Sequence, residues 1–159
     1  MTRRRIPHQA DKSALIARLH RGLRPRLAKD QIMDLALAHT TNLGLIRTGQ
    51  ADIDVLWQWV GGTLTWYRVA QMLDLGEPEM RAQLGLADSV VQRFGRTGRV
   101  GFSGPELRVA IDGVDVMDQL ASAVDQATAS TCADWSQGQL DVLVATGAAS
   151  AHVAAAALS

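Results

Sequence analysis

The chain has almost no cysteine, few aromatics and no long apolar run. Cys132 is the one cysteine in 159 residues, so no intrachain disulfide can form and a reducing compartment is expected. No apolar stretch approaches the roughly 20 residues of a membrane span. Arg3, Arg4 and Arg5 stand at the N-terminus without the hydrophobic segment that a secretory signal places behind its basic residues. The expectation is a soluble, cytoplasmic protein. Signs of chemistry are missing as well. The four histidines (8, 20, 39 and 152) are scattered, and none lies near Cys132 at a spacing suited to zinc or to a nucleophile–base pair. No glycine-rich nucleotide loop or nucleophile elbow is present. An enzyme, a cofactor and a metal site are therefore not expected.

What is there is helical periodicity. A composition of 47% hydrophobic and 20% charged residues is that of a globular chain, and the length suits one domain. The stretch Trp57–Tyr67 concentrates three of the four tryptophans and the only tyrosine. At 100° per residue, Leu56, Trp59, Val60, Thr63, Trp66 and Tyr67 share one broad face. Asp52 is placed to cap this helix, which is expected to end near Gly76. Gly61 and Gly62 inside it each cost roughly 1 kcal/mol relative to alanine, and the expected return is close approach of a neighbouring helix or a bend. Trp57 points to one side together with Leu64, and this pair is the candidate partner contact.

The rest of the chain follows the same pattern. Leu15, Ile16, Leu19 and Leu23 give residues 12–23 an apolar stripe that Arg24-Pro25 interrupts. A second stripe predicts a helix over residues 30–48 with Gly49 closing it, and His39 falls inside that stripe as a satisfied core histidine. Pro78 suits the first turn of a helix that runs to Gly95. Ser103 and Glu106 form a capping box flanked by Phe102 and Leu107. The helix that follows has Leu107, Ala110, Ile111, Val114, Met117, Ala121 and Val124 as its apolar face. Asp118 projects inside that face, as a buried carboxylate awaiting an arginine from the 93–99 loop. A final helix is expected to start among Thr128, Ser130 and Thr131 and to end near Thr146. Its stripe is Ala133, Leu140, Leu143 and Val144. The expected architecture is an all-α, single-domain bundle of five to six helices, with a flexible basic arm over residues 1–10 and a poorly ordered Ala-rich tail over residues 148–159.

Charge is zero overall but unevenly spread. Residues 1–30 carry nine Lys/Arg against Asp11 and Asp30, a net +7, so the other 129 residues carry −7. Arg3, Arg4 and Arg5, with Arg93, Arg96 and Arg99 further on, are candidate contacts for an anion or nucleic acid. The run from Gln92 to Gly101 is similar to the arginine-finger motif of DEAD-box helicases. Without GxxxxGK[ST] and a second α/β domain, that chemistry is excluded. Three segments, Arg96-Thr97-Gly98-Arg99, Phe102-Ser103-Gly104-Pro105-Glu106-Leu107 and Met117-Asp118-Gln119-Leu120, carry a wider similarity over residues 30–146. There the chain resembles small helical proteins encoded on bacterial phages, prophages and plasmids. The resemblance implies an accessory protein of a mobile element and supplies no activity. The reading is a non-catalytic protein that binds and modulates a protein partner; the alternative is a nucleic-acid-binding regulator acting through its Arg-rich N-terminus.

Overall fold

The computed structural model describes residues 25–145. The expected arm, the stripe over residues 12–23 and the Ala-rich tail lie outside the described residues. Within them are five helices and no strand: α1 Lys29–Arg47, α2 Ile53–Leu73, α3 Glu77–Thr97, α4 Gly104–Ala123 and α5 Gln126–Ala145. The chain is an all-α bundle.

Each start has a local cause. The Asp52 carboxylate accepts from the Val55 amide at 2.9 Å and fixes the first turn of α2. At the start of α4, Glu106 accepts from the Ser103 amide at 2.7 Å, one half of the expected capping box. α5 begins earlier than its threonines and serine suggest. Asp125 is its cap, accepting from the Thr128 amide at 2.9 Å and the Thr128 hydroxyl at 2.8 Å.

The ends differ from expectation at two points. α2 stops at Leu73 because Asp74 turns into the left-handed region (φ 52°), while Gly76 (φ 68°) serves as the cap preceding α3. α3 runs through Gly95 to Thr97. A glycine inside a helix costs only about 1 kcal/mol, whereas Gly98 (φ 65°) supplies the conformation that ends the helix and donates to the Phe94 carbonyl at 2.7 Å.

α2 is the central helix and touches all four others, most extensively α5 and α3. Trp59, Val60, Thr63, Leu64, Trp66, Tyr67, Val69 and Ala70 are all buried, so almost its whole circumference is covered. Two tryptophans also satisfy their indole N–H groups inside the bundle. Trp66 donates to His39, as described below. With the Gln83 amide turned to the orientation that satisfies both neighbours, Trp59 donates to its side-chain oxygen (3.2 Å) and its amide nitrogen donates to the Val109 carbonyl (3.2 Å). Gln83 is fully buried, and its amide lies where a Cβ on Gly113 would otherwise stand. The glycine of α4 thus makes room for the polar group that satisfies the core tryptophan of α2.

Three placements correct the sequence reading of the core. Ile111 and Val144 are exposed, at 44% and 52%. The buried line of α5 is instead Thr128, Cys132, Ser136 and Leu143. Small side chains at three of these positions let α5 approach α2 closely: the Ser136 hydroxyl donates to the Gly61 carbonyl at 2.8 Å, and a Cβ on Gly61 would lie 3.4 Å from Leu140. Close approach is therefore what Gly61 provides.

Candidate functional site

α1 and α5 both pack on α2 but not appreciably on one another, and the space between them is a groove of about 990 Å³. Its walls come from α1 (Gln31, Leu35, Ala38, Asn42) and α5 (Ala129, Ala133, Gln137, Leu140), and its floor from Trp57, Gly61, Gly62 and Thr65 of α2. The lining is mainly apolar, with amides along the rim and Asp54 as its one carboxylate; no Lys or Arg is among its lining residues. One end is closed. There the Gln126 side chain donates to Gln31 across the groove (3.1 Å), and the Gln126 amide donates to the Pro25 carbonyl (3.0 Å).

Gly62 is the residue that makes the floor low. Among the described residues, nothing lies within 4 Å of the place its Cβ would take. Glycine therefore costs helix propensity here without admitting a neighbouring helix, and what it leaves is open space in the groove. Trp57 is partly buried against the core and partly presented to the groove. Leu64, its expected companion, is 0% exposed and belongs to the core. The two residues separate because α2 is covered almost all round, and only the sector between α1 and α5 stays open.

His39 and Asp118 are brought together from α1 and α4. His39 is 9% exposed, whereas the Asp118 side chain is 42% exposed. Asp118 is therefore half-buried rather than buried, and its partner is His39 Nδ1 at 3.4 Å, not an arginine of the 93–99 loop. Trp66 donates its indole N–H to His39 Nε2 at 2.8 Å, and the two rings meet edge to face with centroids 5.7 Å apart. The acceptor role of Nε2 fixes the tautomer: the imidazole is neutral, with its proton on Nδ1 facing Asp118. The nitrogen that a general base would use is occupied by a core tryptophan. The arrangement ties α1, α2 and α4 together, and both rings also lie along the groove lining.

Burial lowers the His39 pKa below the ordinary 6.5, and it outweighs the hydrogen bond and charge of Asp118, which act in the opposite direction. Below pH 6.5 the unfolded chain takes up a proton that the folded chain resists. The stability contributed by neutral His39 is complete above 6.5 and is lost as pH falls through the folded value. Urea midpoints should therefore decline between pH 7 and 5, and His39→Gln should remove part of that slope. In an NMR titration the imidazole should respond below 6.5, and lower still in Asp118→Asn, which loses the charge of the carboxylate. Titration above 6.5 would contradict the neutral relay.

The arginines divide. Arg93 is committed within the bundle: it forms a fork with Glu106, including an Nη1–Oε2 contact of 3.0 Å, and donates to the Gly101 carbonyl at 2.9 Å. The hydrogen bond from Arg93 holds the Glu106 carboxyl below the usual carboxylate range. Arg93 is thus a clasp between α3 and α4 rather than an anion contact. Arg96 and Arg99 are exposed at the end of α3. Arg3, Arg4 and Arg5 lie outside the described residues.

Among the described residues, no group of three or more His, Cys, Asp or Glu is placed to hold a metal ion, and no helix is long and apolar enough to cross a membrane. No family model, curated protein or solved structure matches the chain.

Proposed function

We propose that this is a non-catalytic binding protein that receives an apolar helix of a protein partner in the α1–α2–α5 groove. The observation that carries this reading is the groove itself: a long apolar trough with a glycine floor, a tryptophan on one side and amides along its rims. Helix-in-groove recognition needs this combination of apolar anchors' pockets and a polar edge. Trp57 is the aromatic contact, of the type that dominates interface energies. The mobile-element resemblance over residues 30–146 extends the proposal to a modulator or inhibitor of a host or element-encoded complex.

The alternative, a nucleic-acid regulator, would draw on the basic N-terminal residues. It gains nothing from the groove, whose lining holds no cation. Affinity capture from a bacterial host with the full chain as bait, with and without nuclease, separates the two. The expected result is one stoichiometric protein, retained after nuclease and in moderate salt. Capture that vanishes with nuclease and falls steeply with salt would overturn the proposal.

A further inference from the structure

α1 packs on α2 and α4 and turns a further side to solvent. Met33 and Leu37, one turn apart on that side, are 71% and 67% exposed, the two most exposed large hydrophobic side chains among the described residues. They belong to a longer pattern. Asp30, Met33, Leu37, Thr40, Gly44 and Arg47 follow one another at alternate steps of three and four residues, the spacing of a coiled-coil seam. All but Gly44 are exposed, and nothing among the described residues lies within 4 Å of the place a Gly44 Cβ would take. A single exposed leucine is ordinary; a seam that runs the length of a helix marks a contact surface.

The seam is complementary to itself. When two copies of α1 lie antiparallel about a two-fold axis midway between Ala38 and His39, positions equidistant from that midpoint face each other. This one register sets Leu37 beside Thr40 of the second copy, Met33 over Gly44 of the second copy, and Asp30 beside Arg47 of the second copy. The long thioether enters the space that glycine leaves, and the one acid of the seam meets its one base. Within the chain, neither Asp30 nor Arg47 is in an ion pair with another described residue. A parallel pairing lacks this fit: it would oppose Asp30 to Asp30 and Arg47 to Arg47, and leave Gly44 facing Gly44 across an empty layer.

We infer that the outer face of α1 is the contact between two copies of this chain, paired antiparallel in an isologous dimer. Two large apolar side chains per copy make a small interface, of the class that forms and parts with concentration. None of the six seam residues lines the α1–α2–α5 groove. Pairing therefore consumes no part of either groove, and the inference goes beyond the partner-binding reading and does not need it to be true.

Sedimentation equilibrium of the full chain in low salt, from micromolar to millimolar concentration, tests this. The expected result is a mass that rises from one chain to two. Leu37→Asp, a change at an exposed position, should leave helical circular dichroism unaltered and weaken pairing about 10-fold or more. Asp30→Lys opposes like charges at both ends of the seam and should also weaken pairing about 10-fold or more, as should Arg47→Asp. The chain that carries both charge exchanges again sets opposite charges together, and should pair within about 3-fold of wild type. If the exchanges merely damaged the helix, that double variant would be the weakest of the three. A wild-type chain that stays monomeric to millimolar concentration would overturn the inference. So would a dimer indifferent to Leu37→Asp, or single charge exchanges that the double variant does not rescue.

Discussion

Replacing Gly113 by alanine should destabilise the protein by about 2–4 kcal/mol, although the same change in most helices is favourable. The new Cβ would lie 2.2 Å from the Gln83 amide, well inside contact distance. Gln83 has no free space to retreat into, being fully buried, and displacing it breaks its hydrogen bonds to Trp59 and Val109. Overpacking a core by one methyl costs about 1–3 kcal/mol, and each buried polar group left unsatisfied about 1–3 kcal/mol more. Against this stands a helix-propensity gain of about 1 kcal/mol. Gly95→Ala is the matched control, since nothing among the described residues lies within 4 Å of that Cβ; it should gain about 0.5–1 kcal/mol. Urea unfolding of both variants checks the difference. Gly113→Ala at or above wild-type stability would show that the Trp59–Gln83–Val109 chain does not exist.

Leu64→Ala and Trp57→Ala should part in the same way that the structure separates these residues. Leu64 is completely buried, and emptying such a site costs about 2–5 kcal/mol, a large share of the roughly 5–15 kcal/mol that holds a domain together. Trp57 is only partly covered, so Trp57→Ala should cost the fold less than Leu64→Ala in the same urea titration. Its effect belongs on partner affinity instead, where loss of an aromatic anchor weakens binding about 10-fold or more. Equal stability losses would return the two residues to a common surface.

Which parts of this were legible in the sequence follows from where the determinants lie. Asp52 and the Ser103–Glu106 pair act within one turn, so the starts of α2 and α4 could be read directly. The central position of α2 was visible in its crowded aromatic and aliphatic pattern. The buried face of α5 was not, because Thr128, Cys132 and Ser136 are small, and periodicity searches reward large apolar groups such as Val144. Close helix approach selects the opposite, and it turns the Ser136 hydroxyl into a buried donor to Gly61. Asp118 lay in the apolar sector of its helix as read. Its partner, 79 positions away on α1, could not be seen; of the arginines of the 93–99 loop, Arg93 is spent on Glu106 and Arg96 and Arg99 are exposed at the end of α3. The groove is a space between three helices and has no motif of its own. Its one trace in the sequence was the cost of Gly61-Gly62 in the middle of α2, of which Gly61 accounts for the packing and Gly62 for the opening.

That division supplies the sharpest test of the groove as the binding surface. Gly62→Leu adds a side chain where the described residues leave open space and replaces a poor helix former by a good one, so the fold should be kept with an unfolding midpoint at or above that of wild type. The leucine would rise from the groove floor. The affinity of the captured protein partner, measured by calorimetry against wild type and Gly62→Leu side by side, should fall at least 10-fold in the variant. A folded Gly62→Leu protein that binds that partner with wild-type affinity would contradict the account.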